Sequence, residues 1–191
     1  MINRLMGNYR WFERILGNLD RSRAGFRVVE LGAGDGLLAR RLCQRFPGLR
    51  YEAVDLMPPP VDLPQGCVWH QADLFEALPE LQGDVVVANL FLHHFDDEAL
   101  QRIGVSLRRF PVIAFCEPWR QDQFHWAGLA LRLLGINRVT RHDLHVSIDA
   151  GFTGEELPNL LGLEGGRFEK TLLGAYRWSR GPQGLLVPRS R

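Results

Sequence analysis

The sequence predicts one doubly wound α/β domain, in which helices cover both faces of a mostly parallel sheet. Three observations predict it. Short apolar, β-branched runs alternate with amphipathic helical segments along most of the chain. A glycine cluster, Gly32 to Gly36, separates the first such run from a helix. Near the carboxyl end, Gly174 separates two further strand-like runs, which indicates a tight antiparallel reversal.

The amino-terminal half of the chain begins with a helix. Residues 1–22 carry apolar side chains at three- and four-residue steps, which predicts an amphipathic helix. The next helix ends at Pro47-Gly48, and prolines 58–60 close the strand after it. The predicted elements are strand Phe26–Leu31, helix Leu37–Phe46, strand Tyr51–Leu56 and strand Cys67–His70.

The carboxyl-terminal half completes the predicted sheet. One strand is almost continuously apolar, as expected when both faces are buried. Capping-box spacing between Thr153 and Glu156 predicts the start of the last helix. The predicted elements are strand Asp84–Asn89, a helix from Asp96 or Asp97, strand Pro111–Cys116, the helix at Thr153, and strands Arg167–Leu173 and Ala175–Trp178.

These elements predict a single domain over residues 1–180. Residues 119–147 interrupt the alternation with a helix that is apolar on most sides and a polar stretch, so they are expected to form a substrate lid. Residues 181–191 are expected to be a flexible tail.

Composition excludes several classes of protein. A net charge of +1 argues against a dedicated nucleic-acid surface. The three cysteines have no metal-ligand spacing, which favours free thiols in a reducing compartment, and we expect the protein in the cytoplasm. No apolar run approaches the roughly 20 residues of a membrane span. The aromatic first helix leaves two possibilities open, docking on the domain or shallow contact with a lipid surface.

The glycine cluster predicts a ligand site. Glycine tolerates the backbone angles of a sharp turn and lets a ligand lie against bare backbone at a helix start. The spacing Gly32-x-Gly34-x-Gly36 differs from the G-x-G-x-x-G of dinucleotide sites, because Leu37 occupies the last position. The loop also lacks a Walker lysine, so its sequence disfavours NAD and ATP.

Polar side chains follow the next strands where each one ends. Asp55 ends the second strand, where a carboxylate can accept hydrogen bonds from both hydroxyls of a ribose. NAD sites use an acid in the same way, so Asp55 alone does not identify the ligand. Asp73 follows the third strand and Asn89 ends the fourth. Open α/β sheets bind ligands at this edge.

An acidic residue before G-x-G-x-G, followed by Asp55, Asp73 and Asn89 in this order, resembles class I S-adenosylmethionine (SAM)-dependent methyltransferases. The resemblance covers residues from about 25 to 180. It implies SAM as the cofactor and a seven-stranded Rossmann-like sheet ending in an antiparallel hairpin. It is closest to small-molecule enzymes of the kind that includes the ubiquinone and menaquinone biosynthesis methyltransferases.

The resemblance also implies a role for each matched residue. Glu30 would lie near the methionine end of SAM, Asp55 at the ribose, and Asp73 at the adenine amino group. Asn89 would lie where cofactor and substrate meet. The implied cofactor-binding residues are Glu30, Gly32, Ala33, Gly34, Gly36, Asp55, Leu56, Asp73, Leu74, Asn89 and Leu90. Two simpler interpretations stay open: Glu30 as a cap of backbone amides, and both aspartates as ordinary turn acids.

His93 and His94 are the candidate catalytic residues, because a neutral imidazole can act as a general base near the methyl-transfer axis. The alternative is that one ring packs under the cofactor and caps a helix. No carboxylate is spaced to complete a metal site with them, so no metal is predicted.

Four further residues are candidates for substrate contact. Glu117 ends the fifth strand, Trp119 lies close to the same edge at the start of the predicted lid, and His142 and His145 lie in the polar part of that lid. The alternatives are a core position for Trp119 and solvated loop positions for the histidines.

The predicted function is in-line methyl transfer from SAM to a small, hydrophobic or aromatic molecule. The aromatic residues of the lid favour such an acceptor, and SAM supplies the reactive group. Three alternatives stay open: a non-catalytic SAM-binding protein, a nucleic-acid methyltransferase, and an NAD or nucleotide-sugar enzyme. The second is disfavoured because Asn89-Leu90-Phe91-Leu92 is not the N/D-P-P-Y motif of amino-directed DNA methyltransferases.

Overall fold

The computed structural model describes residue 3 and residues 6–22, 25–120 and 151–182 of the chain. Seven strands form one sheet in these ranges, flanked by helices. The helices are α1 (Asn8–Ser22), α2 (Leu37–Arg45), α3 (Leu74–Ala77), α4 (Asp97–Leu107) and α5 (Glu156–Leu161), with 3-10 turns at Leu78–Glu80 and Leu92–His94. The strands are β1 (Arg27–Leu31), β2 (Arg50–Asp55), β3 (Cys67–Gln71), β4 (Val85–Asn89), β5 (Val112–Pro118), β6 (Arg167–Lys170) and β7 (Ala175–Arg180).

The strand order is β3-β2-β1-β4-β5-β7-β6. The first five strands are parallel, and β7 runs antiparallel to both β5 and β6. The predicted fold class and the carboxyl-terminal hairpin are therefore confirmed. The order reverses between β1 and β4, and such a switch point opens a crevice at the carboxyl ends of the strands.

Two apolar layers enclose the sheet. Val86 and Ala88 of β4 pack in the layer that contains α4 and α5, whereas Val85 and Val87 pack in the layer that contains α1 and α2. All four side chains are buried, which explains why β4 is apolar without alternation. Polar residues at the end of such a strand therefore emerge directly at the crevice.

The predicted first helix is interrupted. Residue 3 is helical, residues 6–7 form a turn, and α1 begins at Asn8 after that turn. Its apolar face packs on the sheet, with Trp11, Phe12 and Leu16 at most 3% exposed. Of the two possibilities for this aromatic face, the structure shows docking on the domain. Among the described helices, none is long and apolar enough to cross a membrane.

The carboxyl-terminal elements differ slightly from expectation. The Glu156 carboxylate accepts hydrogen bonds from the Thr153 N–H (3.0 Å) and hydroxyl (3.2 Å), but the helix begins at Glu156. Strand β6 ends at Lys170, because the chain then turns, with the Gly174 N–H donating to Thr171 O at 3.2 Å. Residues 121–147 of the predicted lid and 183–191 of the predicted tail lie outside the described residues.

Candidate functional site

The glycine loop after β1 has the backbone that its sequence predicts. Gly32, Gly34 and Gly36 have φ angles of 66°, 54° and 68°, in the left-handed region that favours glycine. The N–H groups of Gly32 and Ala33 donate to Val54 O at 2.9 and 3.3 Å, which ties the loop to β2. Among the described residues, no atom lies within 4 Å of where a Cβ on Gly34 would stand, so their arrangement leaves this backbone open to a ligand.

Gly32 differs from Gly34 in its surroundings. A Cβ at Gly32 would stand 2.0 Å from the ring of Phe91, which follows β4. The glycine at this position therefore has a packing role as well as a conformational one. Sequence reasoning placed Phe91 at the end of the fourth strand but did not predict its contact with Gly32, because the two residues follow different strands.

Asp55 lies beside this loop at the carboxyl end of β2. Its Oδ2 accepts a hydrogen bond from the Gly34 N–H at 2.7 Å, and its Oδ1 accepts one from the Met57 N–H at 2.8 Å. A carboxylate offers about four acceptor positions, so two remain for a ligand. Leu56, the next residue, is 69% exposed.

Glu30 lies beneath the same loop and is buried, with 2% of the residue exposed. The Tyr51 hydroxyl donates to its Oε2 at 2.8 Å. Burial raises the pKa of Glu30 to about 8, and the negative charges of Asp35 and Asp55 act in the same direction. Glu30 is therefore largely protonated at neutral pH, and a positive charge placed nearby would favour its ionised form.

The third predicted position lies after β3. The Asp73 side chain accepts a hydrogen bond from the Phe75 N–H at 2.7 Å and so caps the short helix α3. Asp73 is exposed and Leu74 is buried. The Ala72 N–H donates to Asp55 O at 3.1 Å, which holds the ends of β2 and β3 together.

Two features mark the end of β4. Leu90 has a φ of 56°, which is rare for a branched residue, and its N–H donates to Cys116 O at 2.7 Å. Such strained backbone costs about 1–3 kcal/mol and clusters at functional sites. Asn89 Oδ1 accepts a hydrogen bond from Asn8 Nδ2 at 3.1 Å, so the first helix reaches the carboxyl edge of the sheet.

Glu117 and His93 form a buried pair. Glu117 is 0% exposed, and its Oε1 accepts hydrogen bonds from the N–H groups of Phe91 (3.1 Å) and Leu92 (2.9 Å). Its Oε2 lies within hydrogen-bond distance of His93 Nδ1, at 2.7 Å. The structure thus places the predicted substrate residue Glu117 beneath the turn after β4, where it holds that turn and His93.

His94 lies on the outside of this pair. It is exposed, and its ring centroid lies 4.1 Å from that of His93. Partial burial of the ring, assisted by the neighbouring His93, lowers the pKa of His94 below its ordinary value of 6.5. His94 is therefore neutral at physiological pH, as a general base must be.

The remaining predicted substrate residues are only partly described. Trp119 forms a parallel bridge with Phe152, and Lys170 Nζ lies 4.6 Å from the centroid of its ring. His142 and His145 lie outside the described residues. Within the described ranges, no group of three or more His, Cys, Asp or Glu side chains could hold a metal ion.

Sequence reasoning missed two buried polar residues on the α1 side of the sheet. Asn8 is 0% exposed and contacts the end of β4, and Arg177 of β7 is 6% exposed. One feature of the sequence could have pointed to Arg177, because a charged residue inside the apolar run of the last predicted strand is unusual. No local signal distinguished Asn8 from a solvated residue of an amphipathic helix.

Parts of this chain are similar in sequence to known methyltransferases. Residues 29–109 match a family described as a methyltransferase domain. An uncharacterized methyltransferase of Mycobacterium tuberculosis is 34% identical over 126 residues, which are 56% of this chain and 63% of that protein. A trans-aconitate 2-methyltransferase of the same species is 42% identical over 77 residues, 39% of this chain and 28% of that protein. The chain thus spans less than two thirds of these curated relatives.

Solved structures share the fold at low sequence identity. Human N-acetylserotonin methyltransferase in complex with SAM aligns with a TM-score of 0.59 and 14% identity, covering 95% of this chain and 57% of that one. An O-methyltransferase family protein from Burkholderia thailandensis aligns with a TM-score of 0.64 and 17% identity, covering 96% and 58%. The chain is thus similar in sequence to methyltransferases over part of its length, and it shares its fold with solved methyltransferases.

Proposed function

We propose that the protein transfers a methyl group from SAM to a small molecule. The observation that carries this proposal is the contact between Asp55 and the Gly34 N–H. Through this contact, an acidic residue at a position suited to binding a ribose lies next to an open glycine loop, at the switch point of the sheet. The spacing of that loop differs from that of dinucleotide sites, which favours SAM over NAD.

The residues at the crevice fit this cofactor. Asp55 has acceptor positions left for two ribose hydroxyls, and the backbone at Gly34 is open. Glu30 is a buried acid whose ionised form would be favoured by a cation, and SAM carries both an ammonium and a sulfonium. When bound, SAM supplies an electrophilic methyl carbon. Asp73 with Leu74 would hold the adenine, and Asn89 with Leu90 would lie at the methyl end.

Among the chain's own groups, His94 is the proposed general base. Its ring is accessible and neutral at physiological pH, so it can accept a proton from the acceptor molecule. His93 is the proposed positioning residue, because Glu117 holds its Nδ1 at 2.7 Å and its ring lies against His94. Glu117 would act through the same turn, without touching the substrate.

The proposed acceptor is a small molecule with a hydrophobic or aromatic part. Trp119 is only partly buried and supplies an aromatic face after β5, whereas Trp11 and Phe12 of α1 are enclosed in an apolar layer. The relative named for trans-aconitate adds organic acids to the acceptors worth testing. We place the reaction in the cytoplasm, and the net charge of +1 favours a small molecule over a nucleic acid.

The first test is calorimetric titration with SAM and S-adenosylhomocysteine, beside NAD. We expect micromolar binding of the two SAM-type ligands and at least tenfold weaker binding to Asp55→Asn, because the amide loses one ribose acceptor. Asp84→Asn is the matched control: Asp84 accepts a hydrogen bond from the Arg27 N–H at 2.8 Å at the amino-terminal ends of β1 and β4, the opposite edge of the sheet. Absence of SAM-type binding by folded protein would refute the proposal.

A second measurement separates an enzyme from a non-catalytic SAM-binding protein. Methyl transfer from labelled SAM is followed across phenols, quinols, amines and organic acids, including trans-aconitate. A methylated product that requires intact protein establishes transfer. Tight SAM binding with no product across these classes would favour the sensor or subunit alternative.

A further inference from the structure

Arg177 is a buried cation without a counter-charge. It is 6% exposed, one Nη donates to Met6 O at 2.7 Å, and its guanidinium carbon lies 5.6 Å from the centroid of the Trp11 ring. Across the described residues, no carboxylate lies within ion-pair distance of it, and its Nε has no hydrogen-bond partner. A buried, unpaired charge is costly to the fold, so its presence calls for a reason.

The register of the sheet places Arg177 level with the candidate site. Asn89 of β4 is paired with Cys116 of β5, and Cys116 is paired with Arg177 of β7. Two strand spacings therefore separate Asn89 from Arg177, about 10 Å between Cα atoms. Asp55 lies on the opposite side of Asn89, beyond β1. A cofactor reaching from Asp55 to Asn89 would leave the Arg177 side for the acceptor.

The side chains also share one face of the sheet. In-register neighbours on adjacent strands point the same way, and Cys116 packs in the layer that contains α1. Burial raises the pKa of the Cys116 thiol to about 12, while the charge of Arg177 and a side-chain hydrogen bond with Arg177 act in the opposite direction. The thiol is therefore neutral and does not balance the guanidinium charge.

A second unpartnered atom lies under the same amino-terminal turn. Asn8 is 0% exposed and uses its Nδ2 on Asn3 (3.0 Å) and Asn89 (3.1 Å), but its buried Oδ1 has no partner. A Cβ on the adjacent Gly7 would stand 3.5 Å from an Nη of Arg177. The turn thus presents an unused donor at Arg177 Nε and an unused acceptor at Asn8 Oδ1. A carboxylate satisfies the first, and a hydroxyl or N–H satisfies the second.

We propose that Arg177 binds the carboxylate of the methyl acceptor, which is a small organic acid with an apolar body. The planar guanidinium fork matches a carboxylate, and Trp11 with Cys116 supplies the apolar surroundings. This assignment rests on the methyl transfer proposed above and names its substrate class. The turn at residues 6–8 lies over Arg177, through the hydrogen bond from its Nη to Met6 O.

The test is calorimetry with small carboxylic acids, beginning with succinate and cinnamate, each beside its uncharged amide. Titrations are made with and without S-adenosylhomocysteine on wild type, Arg177→Met and Arg177→Lys. We expect at least one acid of the series to bind wild type at least tenfold more tightly than its amide. Arg177→Met should abolish that preference, Arg177→Lys should keep part of it, and all three proteins should bind S-adenosylhomocysteine equally.

Thermal unfolding of the free proteins separates a ligand residue from a structural one. Removing an unpaired buried charge should leave the Tm of Arg177→Met unchanged or higher. A lower Tm with unchanged acid binding would show a structural arginine and overturn the assignment. The assignment would also be overturned if the protein binds S-adenosylhomocysteine normally but prefers no acid over its amide. That result would leave the proposed methyl transfer intact. Absence of S-adenosylhomocysteine binding would instead refute the methyl transfer.

Discussion

Buried charged side chains are distributed unevenly over the two faces of the sheet. Glu117 has both carboxylate oxygens occupied by the turn after β4 and by His93. On the α1 side, Glu30 is largely neutral beside Tyr51, and Arg177 keeps an unused Nε. Among the described residues, the buried charge without a counter-charge thus lies on the α1 side, where a polar acceptor is expected, whereas the unpartnered atom on the other face is the uncharged Trp178 Nε1.

His94→Asn should slow methyl transfer about 100-fold or more without changing SAM binding, because a general base contributes roughly 10²–10⁴-fold. Since the pKa of His94 is lowered, the wild-type rate should be constant at neutral pH. It should fall only as the pH drops below the ordinary imidazole value and the ring takes up a proton. Single-turnover rates from pH 5 to 8 measure this. His70→Asn is the control, since His70 of β3 pairs with Glu52 of β2. An unchanged rate in His94→Asn would remove His94 from the chemistry.

At the scale of elements, helices α4 and α5 pack so closely that their backbones are in contact at Gly104 and Leu161. A Cβ on Gly104 of α4 would stand 1.9 Å from Leu161 O of α5. Gly104→Ala should therefore destabilise the protein by about 1–3 kcal/mol or more, because the rigid backbone of α5 must move. Urea unfolding measures the loss. Val105→Ala, at an exposed neighbouring position, should change the free energy of unfolding by about 0.5 kcal/mol or less. Equal stability of the two variants would contradict the close packing.

At the scale of the whole molecule, Glu30 makes folding stability depend on pH. Its folded pKa of about 8 lies above the ordinary value of 4.5, so between these values the folded protein holds a proton that the unfolded chain releases. The associated stability is fully present below pH 4.5 and is lost as the pH rises through 8, by up to about 1.4 kcal/mol per pH unit. Glu30→Gln, which stays neutral, should remove this slope and be the more stable protein at pH 8.5. Denaturant titrations from pH 5 to 9 test this, and parallel pH profiles would contradict it.

Much of the fold follows from signals within single elements. The β-branched runs, the glycine loop and the final reversal at Gly174 were each predicted from neighbouring residues, and the strand bounds differ by only one to three positions. The position of Asp55 was also predictable, because an acid at the end of a parallel strand emerges at the ligand edge. The start of α1 was not predictable, since the apolar periodicity continues through the turn at residues 6–7.

The sequence by itself determined the fold class, the carboxyl-terminal hairpin and the order of polar residues along one sheet edge. These depend on periodicity and turn chemistry, which act over short stretches of chain. Only the tertiary structure decided that Glu117 is enclosed and that Asn8 reaches Asn89, 81 positions away. It also decided that Arg177 lies under the amino-terminal turn, 171 positions from Met6. Burial and charge compensation depend on strands and helices that meet only when the chain packs. The pattern of neighbouring residues in the sequence therefore does not predict them.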